Sequence, residues 1–246
     1  MPPTDRDVAK LPGLPRDLLA YGRESVGDQR VPLSIEAWAP LLEAHPELRA
    51  DLGAEVEAND GIRRSFVHKR AASDPVELFL AAMAWGFGPT TYGPARVTKM
   101  MANPGFEANL AAIVEDTRAR GAAGGWTSLL LTHRIRGLGM AYGTKLLYFA
   151  GYTSDCPGPR PLVLDKFVRA ALVQFGAPIE AKGMVWRDDY ANYLTLAEEW
   201  SSDESWDAEP EVVEFGLFDL GKRIARKKLN VDDDESEVAS GEVRAD

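Results

Sequence analysis

From about residue 34 to residue 229 the apolar side chains recur at helical spacing almost without interruption. The only run short and apolar enough for a strand, Pro161-Leu162-Val163-Leu164, lies directly before a helix start. Ser34 is placed to open a helix through Trp38, Leu41 and Leu42. Asp74-Pro75 opens another, rich in Leu78, Phe79, Ala82 and Met83, with proline where the first turn tolerates it. Further helices are predicted near 94–102, 105–119, 126–134, 144–150, 165–175, 187–200 and 210–229, with no internal repeat. A chain of 246 residues with 45% hydrophobic content can bury one sizeable core or two closely packed lobes. The fold class expected is mainly α.

Much chemistry is excluded by composition. A single cysteine, Cys156, rules out an internal disulfide and any four-cysteine cluster or zinc site. His45, His68 and His133 lie far apart and share no metal-ligand spacing, so no cofactor is expected. No apolar stretch approaches a membrane span, and MPPTDRDVAK lacks the apolar core of a signal peptide, so a cytoplasmic, monomeric protein without membrane contact is expected. The net charge of −10 argues against nucleic acid only until its distribution is seen. Residues 230–246 carry seven acids and one arginine, −6 of the total, directly after Lys222-Arg223-Ile224-Ala225-Arg226-Lys227-Lys228. The organisation expected is a loose Pro-rich arm at 1–14, a helical domain at 15–229 and an acidic disordered tail at 230–246.

Two segments carry candidate chemistry. In Arg136-Gly137-Leu138-Gly139-Met140-Ala141-Tyr142-Gly143-Thr144-Lys145-Leu146-Leu147-Tyr148-Phe149, a glycine-rich turn runs into an apolar helix with one lysine in its expected first turn. Glycines before a helix let backbone N–H groups approach a phosphate. A lysine at a helix start meets an unfavourable dipole that favours the neutral, nucleophilic amine. A helix-joining turn followed by a surface lysine accounts for the same residues. In Pro161-Leu162-Val163-Leu164-Asp165-Lys166-Phe167, a short apolar run ends in an aspartate placed to cap the next helix. Capping alone explains Asp165, although a capping carboxylate is also held rigidly and kept ionised.

Taken together, Gly143-Thr144-Lys145 and Leu164-Asp165 resemble the helix-hairpin-helix DNA glycosylase superfamily, in its 8-oxoguanine DNA glycosylase branch. Those proteins carry a catalytic lysine in a Gly-Thr-Lys at the start of the hairpin's second helix and a catalytic aspartate about twenty residues later. Asp74-Pro75-Val76-Glu77 and Ala95-Arg96-Val97-Thr98 extend the resemblance, as does Glu214-Phe215-Gly216-Leu217-Phe218, over roughly residues 70–229. The resemblance implies two closely packed helical lobes with the active site in the cleft between them. It assigns catalysis to Lys145 and Asp165, a base pocket to Glu214, Phe218 and Tyr142, and DNA contact to Arg136, Gly137, Gly139, Gly143 and Thr144. Core packing with a solvent-edge acid is the alternative for the Glu214–Phe218 face, and a solvated helix end for the 222–228 cations.

There are departures from the family pattern. Ala141 stands at a glycine position of the hairpin turn, and Gly86-Phe87-Gly88-Pro89-Thr90-Thr91-Tyr92 replaces an asparagine-rich stretch. Glu214 replaces a neutral amide, which would favour a base edge that donates hydrogen bonds. The implied activity is excision of a damaged or modified, 8-oxoguanine-like base from duplex or single-stranded DNA, with lyase activity through a Schiff base. The alternatives are a non-catalytic helix-hairpin-helix binding module, a bacterial defence protein acting on modified nucleobases, and a helical scaffold.

Overall fold

A computed structural model describes Gly13, Pro15, Leu18 and residues 21–152, 155–180, 182–203 and 209–241, with side chains in the last helix as far as Lys227. The expected loose arm at 1–14 lies outside the described residues apart from Gly13; of the tail expected to be disordered, 230–241 are described as backbone of the last helix and 242–246 lie outside the described residues. The architecture is almost wholly helical. α1 (Arg23–Gly27), α2 (Ile35–Trp38), α3 (Pro46–Asn59) and α4 (Arg64–His68) form the N-terminal part; then come α5 (Pro75–Phe87), α6 (Gly93–Met101), α7 (Phe106–Thr127), α8 (Met140–Gly151), α9 (Lys166–Gln174), α10 (Arg187–Ser201) and α11 (Pro210–Gly241). Two residues each of β1 (Arg30–Val31) and β2 (Ile62–Arg63) pair antiparallel, Arg30 opposite Arg63 and Val31 opposite Ile62. No other strand occurs among the described residues. No described helix is long and apolar enough to cross a membrane.

The expected helix starts appear where a side chain makes them. Ser34 accepts from the Ala37 N–H, Asp74 from Val76, and Asp165 from Phe167 and Val168. The stretches expected at 105–119 and 126–134 are two helices within α7, separated by the non-helical backbone of Gly121, the second continued by a π turn at Ser128–Thr132. Gly121 has φ 68°, and a Cβ there would sit 2.0 Å from the Pro157 carbonyl oxygen, so only glycine fits the break. The hairpin's second helix begins at Met140 rather than near 144, capped by extended Gly139 without any side-chain bond.

One continuous core binds these pieces. α5 is buried nearly all round, from Leu78 to Phe87, and packs on α8, itself buried from Gly143 to Gly151. α11 lies on α9 so closely that a Cβ on Gly221 would stand 2.0 Å from the Phe167 carbonyl oxygen. α7 pairs with α8 as the hairpin, and Gly143 makes that approach possible: a Cβ there would meet Leu129 at 2.3 Å. The apolar run 161–164 threads between α8 and α10 without joining a sheet. Tyr190 bonds both the N–H and the carbonyl of Leu162, Tyr193 donates to the Val163 carbonyl, and Thr144 accepts the Leu164 N–H. These bonds satisfy a buried backbone stretch that no strand neighbour serves.

Candidate active site

Lys145 and Asp165 are twenty residues apart in sequence and face each other in space. The lysine Nζ lies 3.4 Å from Asp165 Oδ2. Their side chains keep only 9% and 14% of their exposure, so the pair is largely but not wholly shielded from water. Asp165 divides its carboxylate: Oδ1 accepts the Phe167 and Val168 N–H groups, and Oδ2 is turned to the amine. Its capping role therefore aims the other oxygen. Thr144 fixes the same geometry from the hairpin side, because its bond to Leu164 ties the residue before Lys145 to the residue before Asp165.

The helix start at Met140 removes one expectation for Lys145. The residue lies in the second turn of α8, and a helix dipole acts mainly over the first. What shapes its surroundings instead is a seat on α5. The lysine Nζ lies 5.7 Å from the centroid of the Trp85 ring. The next residue is Gly86, where a Cβ would stand 2.8 Å from Lys145 Cδ and 3.4 Å from Tyr142. A tryptophan wall and a missing side chain thus accommodate the lysine stem. A Trp-Gly pair inside an apolar helix was the local signal that would have pointed to this seat.

The remaining expected site residues divide into two groups. Arg136, Gly137 and Gly139 are exposed along the hairpin turn, where Gly137 has φ 97°. Gly143 and Thr144 are buried, the first against Leu129 and the second on Leu164, so both hold the hairpin together from inside. Tyr142 stacks on Phe87 at 4.0 Å and 20°, with the Arg96 guanidinium 6.0 Å from its ring. Burial pushes its phenol up to about 12, with Tyr92 and Asp165 adding to the rise. Phe218 is half-buried, stacked on Phe215 and edge-on to Phe167.

Glu214 sits deeper than a solvent-edge acid would. It is 1% exposed and accepts a 2.7 Å hydrogen bond from Arg64, equally buried. Burial raises the Glu214 carboxyl, and the Arg64 charge opposes that rise. Burial likewise opposes the Arg64 charge, but Glu214 and the surrounding groups outweigh it. Arg64 also donates to Tyr148 Oη at 3.4 Å, while Tyr148 donates to Glu211 at 2.6 Å. With that proton committed, His68 Nε2 is the donor in its 2.6 Å contact with Tyr148 Oη, leaving Nδ1 as an unpartnered acceptor. Nothing local in the sequence marks Arg64: its partner lies 150 residues away. No group of three or more His, Cys, Asp or Glu side chains is arranged to hold a metal among the described residues.

The mostly helical fold, with little strand among the described residues, is consistent with the all-α glycosylase class. The family model described as "Putative 8-oxoguanine DNA glycosylase OGG-like protein" matches residues 24–218, and the chain belongs to that family. The match begins well before residue 70, where the sequence resemblance starts, and so takes in Arg64 and His68. No curated protein and no solved structure matches the chain.

Proposed function

We propose that this protein is a DNA N-glycosylase with associated β-lyase activity, in which Lys145 is the nucleophile and Asp165 its carboxylate partner. The observation that carries this reading is the 3.4 Å approach of two largely buried side chains within a family of 8-oxoguanine DNA glycosylase-like proteins. A base stacked in duplex DNA is out of reach, so the nucleotide must rotate out of the helix before reaction. As the glycosidic bond breaks, positive charge develops on the sugar, and the fixed Asp165 Oδ2 is placed to stabilise it. The free amine of Lys145 bonds to C1′ while the base leaves with the bonding electrons and takes up the proton that the amine sheds. Ring opening then gives an iminium at C1′. Loss of a C2′ proton expels the 3′ phosphate, and water releases the enzyme.

In this reading Arg136 and the N–H groups of the exposed hairpin turn hold the DNA backbone, with Arg134 supplying further countercharge. Tyr142 and Phe218 offer aromatic faces to the extruded base. The excised base is a modified one of the 8-oxoguanine type. The test is borohydride capture on duplexes carrying single modified bases. A covalent adduct on one lesion and none on the matched unmodified duplex supports the reading. Salt-dependent binding without adduct on any modified or abasic duplex would instead leave a binding module.

A further inference from the structure

Two buried charges sit behind the lysine with no part in the chemistry above. Removing an ion pair from water costs several kcal/mol per ion, and apolar side chains of similar volume usually serve stability as well or better. Arg64 and Glu214 are therefore poorly explained as core filling. Their placement is specific. The Arg64 guanidinium carbon lies 5.2 Å from the Trp85 ring centroid, 5.1 Å from Tyr148 and 5.8 Å from Phe215. Its Nε is buried without a partner, so the group is not held by hydrogen bonds alone. The same indole lies 5.7 Å from the Lys145 Nζ. A chain of contacts therefore runs Glu214, Arg64, Trp85, Lys145, Asp165, drawing on α11, α4, α5, α8 and the cap of α9.

Resting on the lysine-nucleophile reading, we propose that the Arg64–Glu214 pair is a positioning unit for Lys145. Arg64 braces the Trp85 indole that walls the lysine, and Glu214 cancels a cation that would otherwise act on the amine across that indole. Neither residue touches DNA in this account. The charge of Arg64 is permanent, so the balance depends on Glu214. The other ionisable groups around the site include Asp165 at the cap of α9, Tyr142 and Tyr148 on α8, Tyr190 and Tyr193 on α10, Glu211 on α11 and His68 on α4. Burial keeps Tyr148 and Tyr193 neutral and holds His68 uncharged near neutral pH.

The test uses the full chain and a duplex with one abasic site, whose aldehyde forms a borohydride-trappable iminium with an active-site amine whatever base the enzyme prefers. Glu214→Gln leaves Arg64 uncompensated, and a nearby like charge disfavours the ammonium form. The acid limb of the trapping-rate profile is then expected to move to lower pH by about half a unit or more. The double variant Arg64→Met/Glu214→Leu removes both charges and is expected to fold. Its trapping should slow by about tenfold or more, since small misplacements of a reacting group are costly, with affinity for the abasic duplex unchanged. Should Glu214→Gln fail to fold, the double variant decides. Wild-type trapping in the double variant, a parallel loss of rate and affinity, or an unmoved limb in folded Glu214→Gln would each overturn the proposal. Absence of any wild-type adduct would sink the lysine-nucleophile reading itself, and this one with it.

Discussion

Asp165 shows how one carboxylate serves structure and site together. Oδ1 receives two helix N–H groups, and that anchoring leaves Oδ2 pointing at Lys145. Asparagine can cap almost as well as aspartate, so Asp165→Asn should unfold within about 1 kcal/mol of wild type in urea. Base excision and abasic-site trapping should nevertheless fall by orders of magnitude, because the amide cannot stabilise a cationic sugar. Equal losses of stability and activity would reduce Asp165 to a cap. At this scale the sequence was informative wherever the partner is local: Ser34, Asp74 and Asp165 announce their helices by side chains that bond two or three residues ahead. Arg64 was not legible, because what gives it meaning is Glu214, 150 residues away.

The hairpin is the element that delivers the lysine. Its two helices touch where Gly143 meets Leu129, and a methyl group there would need Leu129 to move. Gly143→Ala is expected to destabilise by about 1–3 kcal/mol, the usual cost of overpacking a tight contact. Because α8 carries Lys145 two residues on, trapping should slow as well. An alanine variant with wild-type urea midpoint and trapping rate would mean that the hairpin packs less tightly than described. Helix existence could be read from apolar spacing, but the start of α8 could not. Gly139 offers no capping side chain, and the turn residues Met140, Ala141 and Tyr142 continue the helix without a local marker. The break at Gly121 falls in the gap between the helices read at 105–119 and 126–134, whereas the Pro157 carbonyl that demands glycine there is remote in sequence.

At the scale of the whole molecule, the N-terminal helices close the core behind the site. His68 on α4 joins Tyr148 on α8 and Glu211 on α11, and burial, reinforced by Arg64, lowers its imidazole from 6.5 to about 3. The folded state therefore keeps His68 neutral at pH values where the unfolded chain protonates it. Its contribution to stability is complete above about pH 6.5 and is lost progressively as pH falls towards 3. Between pH 6.5 and 5 the loss should be on the order of 1–2 kcal/mol. His68→Gln keeps a donor for Tyr148 and should flatten that part of the stability profile. Urea midpoints that fall equally in both proteins would place the acid sensitivity elsewhere.

Whether Lys145 is the nucleophile is decided by borohydride trapping on an abasic-site duplex. The wild-type protein should give a covalent protein–DNA adduct whose cross-linked peptide contains Lys145, and Lys145→Gln, folded and binding the same duplex, should give none. An undiminished adduct in that variant, or an adduct mapped to another lysine, would remove Lys145 from the chemistry.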